Sequence, residues 1–140
     1  MLPENTHVDS VAPNSLIMDN PLILLIALKV IVALGILNVW LLRSGQATAY
    51  RGGAAKTLRA EFATYGLPAW SFFAIGGLKI TLALALLISI PYPSLTQPAA
   101  ITLGLLMLGA FIMHLKVKDP MSKSLPSLAV LALCATIAFT

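Results

Sequence analysis

Charge is scarce in this 140-residue chain: 10% of its residues are charged and 59% are apolar, where soluble domains run at about a quarter charged. That scarcity excludes an ordinary soluble domain, a disordered chain and a nucleic-acid partner. A single cysteine, Cys134, excludes an intrachain disulfide, a CxxC redox pair and a cysteine zinc site. Acids are rarer than bases, five against nine, and none of the five lies in a long apolar run. The resulting net charge of +4 makes no basic face, because the bases are dealt out between apolar stretches. Residues 1–20 hold no Lys or Arg, so they lack the basic start of a secretory signal and read as a retained polar tail.

Long apolar runs are what the chain has in plenty. The first is Pro21–Leu42, 22 residues with one charge, Lys29; at 1.5 Å per residue it spans about 33 Å, enough for a hydrocarbon core of about 30 Å. Asp19 and Asn20 stand where they can cap it, Pro21 suits the first helical position, and Trp40 suits an interfacial anchor. The second run covers residues 67–90 with one charge, Lys79, and ends at Pro91 and Pro93. The third, 98–115, closes on His114, and the fourth, 125–140, has only 16 residues. Because lipid requires internally satisfied backbones, these runs predict an all-α membrane protein, an antiparallel bundle of four transmembrane helices filling residues 21–140.

Between the first two runs, Gly45, Gly52 and Gly53 interrupt a polar stretch, and residues 54–65 then read as a short interfacial helix. Leu58, Phe62 and Tyr65 share one side of it, with Lys56 and Arg59 elsewhere; Gly66 supplies a left-handed stop before Pro68. Arg43, Arg51, Lys56 and Arg59 occupy this first loop, and Lys116, Lys118 and Lys123 the third, whereas 91–97 and the tail have no Lys or Arg. The asymmetry predicts that loops 43–66 and 116–124 are cytoplasmic, in a bacterial-type inner membrane or its equivalent, with both termini outside.

Three sets of residues stand out. Gly77, Thr81, Ala85 and Ser89 recur at every fourth position of the second run, a small-residue stripe expected to pack against another helix. Lys79 lies about 200° around the helix from Gly77, which points it away from that seam, with no acid in any run to pair with it. It then loses its proton, snorkels, or meets an anionic or carbonyl group of a lipid or partner subunit; Lys29, nearer the outer end, is expected to snorkel. Asn38, Arg43, Glu61, Tyr65, His114, Lys116 and Asp119 all fall at the cytoplasmic level. They close a polar lid, with Arg43 paired to Asp119 or Glu61, or they line the mouth of a headgroup or quinone pocket. His114 is the one histidine in the apolar runs, so no protein-only metal site is expected. No nucleophile array, phosphate-cradling loop or dinucleotide fingerprint is present.

Four strings carry a resemblance: AYRGGAAK at 49–56, EFATYGLPAW at 61–70, GGLKI at 76–80 and MLGAFIMHLKVKDP at 107–120. Together they resemble the DoxX-like family of small membrane proteins, from about residue 37 to 126. The resemblance implies a four-helix bundle, in a family named after a subunit of a thiosulfate:quinone oxidoreductase. Many members carry an acid where this chain has Lys79. The functional expectation is a small accessory or assembly subunit of a larger membrane complex, without catalysis of its own or an intrinsic cofactor. In it, Lys79 touches a partner subunit or lipid. A quinone- or lipid-associated component of an oxidoreductase system is the alternative, and a small-solute transporter a weaker one.

Overall fold

Peptide groups find no partner in hydrocarbon, so an apolar chain of this length satisfies them within helices. The computed structural model describes residues 21–140, and every regular element there is helical. The tail and the cap expected at Asp19 and Asn20 lie outside the described residues. Helix α1 covers Pro21–Leu37 and continues as a π-helical turn over Asn38–Leu42, in which the Arg43 N–H reaches the Asn38 carbonyl at 2.9 Å. A short helix α2, Leu58–Thr64, follows the first loop, and α3 spans Ala69–Ile88. After a 3-10 turn at Pro93–Leu95 come α4, Thr96–Lys116, and α5, Met121–Ala138. Four of these segments are long and apolar enough to cross a membrane, and the short turns after α3 and α4 fold consecutive spans antiparallel.

Local chemistry sets the boundaries. The Thr57 hydroxyl accepts from the Ala60 N–H at 3.0 Å and starts α2 there, later than residue 54. Gly66 ends it with a φ of 77°, and extended prolines, Pro68 and Pro120, lead into α3 and α5. The last span begins at Met121 rather than near residue 125, with Pro126 inside it. The buried face of α2 is the one the sequence spacing indicates: Leu58, Phe62 and Tyr65 point inward.

The spans form a ring in which α1 meets α3 and α5, and α4 lies between α3 and α5. Small residues let the helices close at one end, where Ala33, Ala83, Ala100, Leu86, Leu103 and Cys134 are fully buried. At the other end the packing is aromatic. Trp40 of the π turn lies 5.9 Å from Phe62 and 5.5 Å from Phe72, ring centre to ring centre. It is turned into the bundle rather than toward headgroups; Trp70, 70% exposed, is the outward-facing tryptophan here. Gly76 makes this seat possible, since a Cβ there would stand 2.5 Å from the Trp40 ring.

The inward face of α3 is therefore not the expected small-residue stripe. Gly77 and Thr81 are exposed, with open space around a Cβ on Gly77, while Ser89 alone of the stripe is fully buried. Gly76, Lys79, Ala83 and Leu86 form the inward row instead. Lys79 consequently faces the interior, the reverse of the direction drawn from its offset to Gly77. Lys29 does not snorkel: it is 3% exposed and donates to the Ser89 carbonyl at 3.3 Å and the Thr96 hydroxyl at 2.9 Å.

Candidate functional site

At the aromatic end the helices and the first loop line a half-open cavity of about 760 Å³, within the range of about 300–1,000 Å³ usual for small-molecule sites. Its wall is mostly apolar, with Ile36, Trp40, Phe62, Ile75, Leu106 and Met113 among the lining residues. Polar groups enter at the loop side from Arg51, Glu61, Tyr65, His114 and Lys123, and from α3 through Lys79.

The polar groups are tied to one another. Tyr65 donates its hydroxyl to Glu61 Oε1 at 2.5 Å and lies 3.5 Å from His114 Nε2. Arg51 reaches Glu61 Oε2 at 3.7 Å while giving its other terminal nitrogen to the carbonyls of Arg43 and Gln46. Arg51 Nε is buried without a hydrogen-bond acceptor. His114 Nδ1 stands 2.7 Å from Asp119 Oδ2. Because a carboxylate only accepts, Nδ1 carries the proton, while Nε2 faces the Tyr65 oxygen and lies 3.9 Å from Glu61 Oε1. Burial, together with the Glu61 hydrogen bond and the Glu61 and Asp119 charges, pushes the Tyr65 hydroxyl far above its ordinary range and keeps it protonated. Burial also opposes ionisation of Asp119. Hydrogen bonds from His114 and the Gly53 N–H, with the Lys123 charge, outweigh it and hold that carboxyl below its ordinary value.

Backbone geometry builds this arrangement. Helix α4 ends in a Schellman motif: Lys118 adopts a φ of 58°, its N–H reaches the Leu115 carbonyl, and the Asp119 N–H reaches the His114 carbonyl. The reversal lays the Asp119 side chain on the imidazole of the same turn. Gly52 permits the close approach of Tyr65, because a Cβ would fall 2.5 Å from its ring. The Gly53 N–H donates to Asp119 Oδ1 at 3.0 Å, and its carbonyl accepts from Lys123 at 2.7 Å. The first loop is thus stitched to the turn between α4 and α5.

Of the residues singled out from sequence, Glu61, Tyr65, His114 and Asp119 come together. Lys116 joins them only by donating to the Tyr65 carbonyl at 2.8 Å. Asn38 lines the cavity and lends its carbonyl to the π turn. The expected pairing of Arg43 with Asp119 or Glu61 is not made: Arg43 is exposed, and Arg51 and Lys123 take those roles because the glycine-rich loop folds back over the bundle. Lys79 and Trp40 also belong to the site, the Lys79 amine lying 5.5 Å from the centre of the Trp40 ring. Arg51 stood out in sequence as one of the basic residues of the first loop, before Gly52 and Gly53, and not as a member of the polar cluster. Among the described residues no group of three His, Cys, Asp or Glu is placed to hold a metal.

A ring of four apolar spans beside an apolar-walled cavity, with a buried polar cluster on its loop side, defines an α-helical integral membrane protein. The sequence matches the model of the DoxX-like family over residues 32–137, and the chain belongs to that family. Neither a curated protein nor a solved structure matches it.

Proposed function

We infer that this chain is a membrane component that holds a small amphiphile, a quinone or a lipid, in the cavity at its basic end. The observation that carries this reading is the cavity itself: hydrocarbon walls with a few convergent polar groups at one side, the usual form of a small-molecule site. The polar groups at the loop side are tied mainly to one another, and in this reading the chain binds and positions its ligand rather than transforming it. In this reading the basic loops face the cytoplasm, and the start of α1 and the end of α5 lie on the outer side. One-sided thiol labelling of a cysteine placed at exposed Lys56 in a Cys134→Ala background checks that orientation.

Purification in mild detergent, followed by identification of every bound small molecule and chain, tests the function. A quinone or single lipid at near-stoichiometric amount is expected. It is expected to disappear in Gly109→Phe, whose new ring enters the cavity where a Cβ meets nothing within 4 Å. A folded protein free of both molecules would refute the reading.

An accessory or assembly role within a larger complex is the second reading. Its support is the exposed face at Gly77 and Thr81, where a helix of another subunit can approach closely. The inward turn of Lys79 removes the support that residue gave it. Other membrane chains recovered with the protein, and an empty cavity, would favour this role.

A further inference from the structure

Lys79 is the cavity's unmatched group. It sits midway along α3, and because helical side chains lean toward the N-terminus, its amine reaches back toward the aromatic end. It is 8% exposed, lies over the Trp40 ring at 5.5 Å, and makes no hydrogen bond among the described residues. An ammonium has three donors to satisfy, and the face of an indole satisfies none of them fully. Glu61 is the acid whose charge reaches Lys79. Its two oxygens are already engaged, one by the Tyr65 hydroxyl and one by Arg51. The remaining charged groups lining the cavity, Arg43, Arg51 and Lys123, are all basic.

We propose that the cavity takes a single-chain amphiphile with a carboxylate head, and that Lys79 receives the head while the chain lies along the hydrocarbon wall. This inference rests on the cavity being a binding site, as proposed above, and names the chemistry of its ligand. Size agrees: about 760 Å³ holds roughly 25 water-sized groups at about 30 Å³ each, enough for one chain and its head and too little for a two-chain phospholipid. Charge agrees as well, since the lining carries four bases, Arg43, Arg51, Lys79 and Lys123, against one acid, Glu61. A carboxylate suits it better than a phosphate, because one free amine can match a single delocalised charge but not a dianion with three strong acceptor oxygens. The amine and the acid form the same contact whichever of them holds the shared proton.

The test uses the full chain in detergent micelles and four probes: dansyl-labelled undecanoic acid, its methyl ester, decylubiquinone and a lysophosphatidic acid. The acid is expected to bind at least about tenfold more tightly than the ester, with Lys79→Met removing most of that preference and Lys79→Arg keeping it. The preference in the unaltered protein is itself decisive, so the inference does not depend on the Met variant folding. Equal binding of acid, ester and decylubiquinone would overturn the inference while leaving the cavity reading intact. Tighter binding of the lysophosphatidic acid would overturn the carboxylate assignment. Binding of none of the four would overturn the cavity reading together with this one.

Discussion

Two buried lysines of this bundle are accommodated in opposite ways. Lys29 is enclosed at the end where small residues bring the helices together, and its amine is held by the Ser89 carbonyl and the Thr96 hydroxyl. Ser89 is the C-terminal cap of α3, so its carbonyl is among those a helix leaves without an internal partner, at the negative end of the helix dipole. Lys79 has an aromatic face and an open cavity instead. The lesson is that an intramembrane lysine need not mark a site. What separates a structural lysine from a functional one is whether the fold already supplies its acceptors.

The largest effect expected from breaking this contrast falls at the closed end. Lys29→Ala removes a long buried stem and strands two acceptors, at a cost of about 2–4 kcal/mol, while leaving probe binding at the far cavity unchanged. Thermal unfolding in detergent, read beside the binding assay, reports both; a loss of probe affinity with little destabilisation would reverse the roles of the two lysines. Next comes the cavity wall. Gly76→Ala drives a methyl group into the Trp40 ring and is expected to destabilise by about 1–3 kcal/mol. Gly77→Ala, one residue on and facing open space, should instead gain up to about 1 kcal/mol from lower backbone entropy. Equal effects of the two alanines would mean that Trp40 is not seated on Gly76.

The smallest effect concerns the loop stitch and depends on pH. Asp119 is held below its ordinary value in the folded chain, so its ionised form adds stability. That contribution is complete above the unfolded value of about 3.9 and is lost as pH falls through the lower folded value. The unaltered protein should therefore weaken in acid below about pH 4. Asp119→Asn should already be weaker at neutral pH, by about 1 kcal/mol, with a flatter acid profile. Parallel profiles for the two proteins would show that the His114–Asp119 contact contributes nothing to stability.

The spans and the buried face of α2 were legible in sequence because each follows from periodicity and turn chemistry within one segment. Gly66 in the left-handed conformation is one such local rule at work. The direction of Lys79 was not legible. A helical wheel gives angles within a helix but no neighbours, and a lipid-facing helix lacks the polar side that would orient it. Gly76 and Gly77 stand side by side in the chain, and only the position of Trp40 decides which of them meets a neighbour. Arg51 displaced Arg43 for a related reason: the loop's return over the bundle depends on Gly52 clearing Tyr65, a contact 13 residues away in sequence. The His114–Asp119 pair depends on Lys118 in a conformation usually left to glycine, which nothing in its side chain announces.

The π turn at Asn38–Leu42 has a consequence for how the chain tolerates changes of length. A π turn holds one residue more than the α-helix it interrupts, so losing a single codon there would return the segment to ordinary helix. Residues beyond the deletion would keep their places about the axis, whereas the same deletion in ordinary helix turns everything after it by about 100°. The first loop, and with it the Arg51–Glu61 contact, would keep its position, and the change would be confined to the turn that carries Trp40. An in-frame deletion at Leu41 should therefore be better tolerated than one at Ile31, an equally exposed residue in the regular part of α1.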